Sequence, residues 1–256
     1  MATQSKLALV TGGSRGIGAA TALALADRGY NVAITYRNKA ARANEVANQI
    51  TARGQQALSL ACDITHLEDV QRLFIALKES YRALDVLVLN ASGGLERHLL
   101  AVDPDYPMHI NHDAQLMLVE HALSLLAKES TIVFVTSHWA HLYGQIVQIP
   151  AYAPIAESKY AGEQALRAQQ DALAKRGVRL LVVTGDLIEG TITPKLLERT
   201  APGLTEHRRS TIGPLPTATE MGNAIAEAAV DVTLPTGHTV VIGGTLESQL
   251  ATDTTT

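Results

Sequence analysis

Apolar positions along the chain fall into two alternating kinds of pattern. Short runs such as Val86-Leu-Val-Leu89 and Thr131-Ile-Val-Phe-Val135 are apolar throughout, as strands covered on both faces should be. Between them lie longer Ala- and Leu-rich stretches with apolar residues at helical spacing, and the alternation is that of βαβ units on a parallel sheet. The pattern predicts strands at about 6–11, 31–36, 56–61, 84–89, 130–136, 178–184 and 238–243, and helices near 16–29, 39–53, 66–80, 106–127, 154–176 and 217–231. The expected fold class is therefore α/β: a Rossmann-type doubly wound parallel sheet of about seven strands with helices on both faces. No repeat or linker divides the chain, so residues 1–256 are read as one domain. The rhythm breaks once, over 191–216, where Pro202, Gly203, Gly213, Pro214 and Pro216 predict an irregular lid beyond the sixth strand. The polar tail, 248–256, is expected to fray.

The first predicted strand runs into Thr11-Gly-Gly-Ser-Arg-Gly-Ile-Gly18 and then a helix. Glycines allow a tight turn and close approach of backbone to a phosphate, and the helix start beyond them offers free N–H groups and partial positive charge. The spacing Gly12-x-x-x-Gly16-x-Gly18 differs from the common G-x-G-x-x-G. The order strand, loop, helix makes a dinucleotide the expected ligand, with Gly12, Ser14, Arg15, Gly16, Ile17 and Gly18 around its phosphates.

Composition narrows the partner. A net charge of −4 and 4% aromatic residues supply neither the basic field nor the stacking surface that nucleic acid needs. No apolar run approaches the roughly 20 residues of a membrane span, and the first residues lack a signal-peptide layout. Cys62 is the single cysteine, so no internal disulfide forms. These features point to a cytoplasmic protein acting on a small molecule, with neither nucleic acid nor membrane as partner.

With these motifs in place the chain resembles the short-chain dehydrogenases/reductases, from Lys6 to about Gly244. The Thr11–Gly18 loop looks like that family's cofactor loop. Cys62-Asp-Ile64 is similar to its adenine-binding segment, which implies contacts from Asp63 and Ile64. Asn90-Ala-Ser-Gly93 resembles its Asn-Ala-Gly motif, which implies Asn90 and Ser92 beside the cofactor. Asn111 matches the helix Asn of its proton relay, Ser137 its catalytic Ser, Lys159 its catalytic Lys, and Gly237–Gly244 its closing strand. The resemblance also puts Gly185 and Ile188 beside the nicotinamide and Thr191 near the phosphates. The second strand ends Ile34-Thr-Tyr-Arg-Asn-Lys39, without the acid that would hold a ribose 2′-hydroxyl. Arg37, with Arg15 above it, is placed for a forked contact with a 2′-phosphate, so the expected cofactor is NADP(H).

The chain departs from the family at the proton donor. The family places a tyrosine four residues before the lysine; here that position is Ile155, which has no proton to give. Tyr152, seven residues before Lys159, is the substitute, and the resemblance implies that Lys159 lowers its phenol pKa and holds the ribose. Tyr-x6-Lys resembles the spacing of the enoyl-thioester reductases, in which hydride goes to a conjugated double bond. His138, His141 and Tyr143 are alternative donors in the segment after Ser137, or polar loop residues. Asp186 and Glu189 are rim acids that either meet the substrate or cap the helix that follows. His109 and His112 lie three apart but lack a third ligand, so no metal site is expected.

Three functions remain open on the sequence. The first is an NADP(H)-dependent carbonyl reductase carried by Ser137, Tyr152, Lys159 and Asn111. The second is an NADPH-dependent enoyl-thioester or enone reductase using the same Tyr152 and Lys159. The third is a cofactor-binding protein without redox catalysis. The helices 106–127 and 154–176 are apolar around more of their circumference than one core stripe requires, which predicts a homodimer or homotetramer.

Overall fold

A computed structural model describes residues 6–247 and Leu250. The expected frayed tail, Leu250 apart, lies outside the described residues. Seven strands form one sheet: β1 (Leu7–Val10), β2 (Asn31–Tyr36), β3 (Ala57–Ala61), β4 (Leu84–Leu89), β5 (Leu126–Ser137), β6 (Arg179–Gly185) and β7 (Thr239–Ile242). Their order is β3-β2-β1-β4-β5-β6-β7, and every neighbouring pair is parallel. Six longer helices are labelled here: α1 (Gly16–Asp27), α2 (Ala40–Thr51), α3 (Leu67–Ser80), α4 (Ala114–Ala122), α5 (Ala153–Ala168) and α6 (Ala218–Val230).

The doubly apolar strands serve two cores. Leu7 and Leu9 of β1 join a cluster with Val70, Leu73 and Phe74 of α3 and Leu118 of α4. Ala8 and Val10, one step out of phase, join the opposite cluster with Leu25 of α1 and Ile225 of α6. The chain leaves β1 toward β2 on one side and returns to β4 on the other. The carboxyl ends of β1 and β4 therefore flank a crevice where the strand order reverses. A third cluster, with Trp139, Tyr152, Ile155, Leu187, Leu197 and Leu215, sits over the carboxyl ends of β5 and β6.

Three boundaries differ from the expectation. The helix predicted over 106–127 is composite, with Tyr106–Met108, a π-helical turn at His109–Asp113 and α4. It gives way to β5, which already starts at Leu126. The helix predicted over 154–176 is interrupted at Gln169, between α5 and Gln170–Lys175. The segment 191–216, expected to be irregular, carries two short helices, Ile192–Leu197 and Leu204–Ile212. Its prolines and glycines mask them: Gly203, at φ +85°, stands at the start of the second and Gly213, at φ +81°, at its end.

Candidate active site

A cleft of about 680 Å³ runs along the carboxyl ends of the strands. At its floor the chain turns sharply at Gly12, φ +67°, so that the Gly12 and Gly13 N–H groups donate to Thr35 Oγ1 at 3.0 Å and Thr35 O at 2.9 Å. From β4, Asn90 Nδ2 donates to Thr11 O at 2.9 Å and clamps the same turn. A Cβ on Gly18 would stand 2.4 Å from Gly12 O and 2.6 Å from Asn90 Nδ2, so a side chain there would force the turn open. The first turn of α1 carries no side-chain cap, which leaves its N–H groups directed at the cleft. A glycine-lined floor, an uncapped helix start and a cleft of this volume fit a dinucleotide.

The cleft brings together Gly12, Ser14, Arg15, Gly16, Ile17, Gly18, Arg37, Asp63, Ile64, Asn90, Ser92, Ser137, Tyr152, Lys159 and Ile188. Two of the anticipated residues are not on its wall. Gly185 lies beneath it; a Cβ there would meet Ile188 Cδ1 and Met221 Cε at 3.1 Å, so its smallness serves packing. Asn111 is buried one layer back, where its amide holds other residues.

The end of the cleft beside β2 is more basic than Arg15 and Arg37 alone imply, because Lys39 and Arg42 also line it. Lys39 N-caps α2 and Arg42 lies in its first turn, a proximity that only the strand-to-helix turn creates. Arg15 is exposed, whereas Arg37 reaches across to donate to Tyr106 Oη at 2.6 Å, with Glu96 3.9 Å from its other terminal nitrogen. Asp63 Oδ1 accepts from the Thr65 N–H and hydroxyl at 3.1 and 2.7 Å, which fixes the β3 turn.

At the other end, Tyr152 stands at the N-cap of α5 with its ring buried. Its hydroxyl donates to Ser137 Oγ at 3.0 Å, and the Ala140 N–H donates to the same oxygen at 3.2 Å. A serine oxygen has two acceptor sites and one proton. Both acceptor sites are used, so the Ser137 proton is available to a further acceptor. Ile155 is buried and presents only hydrocarbon to the wall.

The expectation that Lys159 lowers the Tyr152 pKa is not met. Burial pushes the phenol up, offset in part by its hydrogen bond to Ser137. The Lys159 ammonium is itself 8% exposed and brought down to about 8 by burial, against which the nearby Glu163 carboxylate acts. Its hydrogen-bond partner is Ser92 Oγ at 3.4 Å.

The alternative donors are occupied elsewhere. His138 is fully buried, with Nδ1 3.0 Å from Thr184 Oγ1 and Nε2 2.7 Å from Gly243 O, so it ties β5 to β6 and the end of β7. Burial holds its pKa below the usual histidine value. His141 pairs with the buried Glu163, which also accepts from Arg167 Nε at 2.9 Å. Tyr143 packs on Tyr160, ring centroids 5.9 Å apart. Of the rim acids, Asp186 forms a buried two-point pair with Arg208, at 2.5 and 3.2 Å, and Glu189 pairs with Arg209. Neither caps the helix Ile192–Leu197, whose N-cap is Thr191 without a side-chain bond. His109 and His112 pair with Asp103 and Asp113.

Among the contributors to the wall that went unnoticed in the sequence are Trp139 and Leu187. Trp139 carries the Arg208 guanidinium 5.5 Å from its ring centroid and, with Tyr152, Ile155 and Leu197, makes that end of the cleft apolar. The tryptophan being the single one in the chain was the available signal.

Comparison with known proteins agrees with this geometry. The short chain dehydrogenase family model matches residues 6–200, and the chain belongs to that family. A hydroxynaphthalene reductase-like protein from Metarhizium anisopliae is 35% identical over 161 residues, 62% of this chain and 59% of that protein. The match thus spans less than two thirds of that relative's length. The hydroxynaphthalene reductase of Aspergillus fumigatus is 29% identical over 230 residues, covering 88% of this chain and 81% of its own. Among solved structures, the promiscuous reductase LugOII, described as catalysing keto-reduction at C1 in lugdunomycin biosynthesis, superposes with a TM-score of 0.79 at 28% identity, covering 95% and 98% of the two chains. A short chain dehydrogenase from Burkholderia cenocepacia in complex with NADP gives 0.78 at 28% identity, with the same coverage.

Proposed function

We propose that the protein is an NADP(H)-dependent reductase that turns a carbonyl group on a flat, largely apolar ring compound into an alcohol. The observation that carries this reading is the contact of Tyr152 Oη with Ser137 Oγ, at 3.0 Å, between two side chains that both line the cleft. A nicotinamide held in the cleft would supply hydride to the carbonyl carbon. Ser137 donates to the carbonyl oxygen, and as negative charge develops there its proton moves to that oxygen and is replaced by the Tyr152 proton. The high pKa of the buried phenol keeps that proton in place at neutral pH. Lys159 holds the ribose and, while charged, returns a proton to the tyrosinate. The pairing of Tyr152 with Ser137 favours carbonyl over conjugated-alkene reduction, because it relays the Tyr152 proton through Ser137 to the reacting oxygen.

The substrate class draws on the apolar wall, beside which Asp186 and Arg208 neutralise one another, and on the hydroxynaphthalene and keto substrates named for the relatives. The phosphate-reading end draws on Arg15, Arg37, Lys39 and Arg42, and on the NADP bound to the Burkholderia protein. We place the reaction in the cytoplasm, in a homodimer or homotetramer; light scattering that returns a 27.3 kDa monomer at micromolar concentration contradicts the assembly. No helix among the described residues is long and apolar enough to cross a membrane. NADPH consumption, followed across bicyclic aromatic ketones, enones and short aliphatic ketones, tests the function. Turnover of the bicyclic ketones supports it, and turnover confined to the enones overturns it.

A further inference from the structure

We propose that Ser92 is a positioning residue, whose hydroxyl accepts a hydrogen bond from the Lys159 ammonium and passes one on to Asn111, fixing where that ammonium stands in the cleft. The inference rests on the part given to Lys159 above. The direction of each bond follows from donor count. Both N–H groups of the Asn111 amide are committed, to Gly93 O and to Ser158 Oγ, each at 3.0 Å. Its oxygen must therefore be the atom 2.8 Å from Ser92 Oγ. Ser92 can only donate to that oxygen, which turns a lone pair toward Lys159, a group that can only donate.

The circuit closes on the helix that carries the lysine. Ser158, next to Lys159 on α5, accepts from Asn111 and donates to Ile155 O at 3.1 Å. Gly162, also on α5, makes room for the Asn111 carbonyl; a Cβ there would lie 2.2 Å from that oxygen. The π-helical turn at His109–Asp113 is what carries Asn111 into this position. Lys159 is thus held at both ends, by its backbone and by a hydroxyl whose orientation the same helix dictates. Among the described residues no carboxylate takes its hydrogen bond. Glu163, on its own helix, is engaged by His141 and Arg167. On the π turn His112 and Asp113 pair with each other, and across the cleft Asp186 is paired with Arg208. Ser92 is exposed, so a substitution there leaves the core packing intact.

Competitive acetylation read by mass spectrometry, run on the cofactor-free protein across pH, gives the titration midpoint of Lys159 directly. Removing a fixed acceptor destabilises the ammonium. In Ser92→Ala the midpoint should therefore fall by about half a unit to one unit. The basic limb of NADPH-dependent ketone reduction should move down by the same amount. Ser92→Thr keeps the hydroxyl and should restore the wild-type midpoint. An unchanged midpoint in Ser92→Ala, or an equal fall in both variants, overturns the proposal. A shifted and rescued midpoint without ketone reduction in any variant leaves Ser92 its role and removes the reaction.

Discussion

The two ends of the cleft are built on different principles. At the β1–α1 end the groups facing the cleft are mostly backbone: N–H groups of an uncapped helix and a turn closed by Gly12 and Gly18. At the substrate end they are side-chain hydroxyls, Ser137 and Tyr152, brought into contact from β5 and from the start of α5. Backbone placement leaves little freedom, because a missing Cβ at one position cannot be replaced by a missing Cβ elsewhere. A hydroxyl at the end of a long side chain can be delivered to one point from several positions. Ile155 and Tyr152 illustrate this: the phenol comes from one helical turn upstream and still reaches Ser137.

If that contrast holds, the largest effect of any single methyl group should fall at the backbone end. Gly18→Ala puts a Cβ 2.4 Å from the Gly12 carbonyl oxygen, an atom that cannot move without opening the loop. NADPH affinity, measured by fluorescence titration, should drop at least about 100-fold, or ~2.7 kcal/mol. Wild-type affinity in this variant would show that the loop is not the phosphate cradle.

A smaller effect should come from the side chains that flank the same end. Arg37 trades its contacts with Tyr106 and Glu96 for a 2′-phosphate at modest cost, since it is part-exposed. The wild-type protein should prefer NADPH over NADH by about tenfold, ~1.4 kcal/mol, the range of one charge-assisted contact. Arg37→Asp should reverse the preference. Equal binding of the two cofactors by the wild-type protein contradicts it, and an unaltered preference in the variant would move the discrimination to Arg15, Lys39 and Arg42.

The same contrast explains what the sequence made legible. The parallel strands and the glycine turn at the cleft floor followed from apolar runs and glycine spacing, because those features act through the backbone. Asn111, expected at the site, lies one layer behind the cleft wall, where the π turn sets its amide oxygen 2.8 Å from Ser92 Oγ. His138 looked like a candidate donor because it follows Ser137, yet the strand ends at Ser137, and His138 opens the short helix His138–His141 with its ring turned to Thr184 and Gly243. Trp139 and Leu187 depend on how the lid helices pack, and the prolines and glycines of 191–216 hid those helices from a periodicity argument. The influence of Lys159 on Tyr152 was overestimated because burial, which dominates both groups, leaves no trace in spacing.

The central claim is that the proton donor has moved from position 155 to Tyr152. It is tested most directly by single-turnover reduction of a ketone by preformed protein–NADPH complex, comparing the wild type with Tyr152→Phe. The account predicts a loss of at least about tenfold in the hydride-transfer rate, within the range that general acid catalysis supplies. NADPH affinity should stay within about twofold, or ~0.4 kcal/mol. A full rate in Tyr152→Phe would contradict the account and leave Ser137, or water, as the source of the proton.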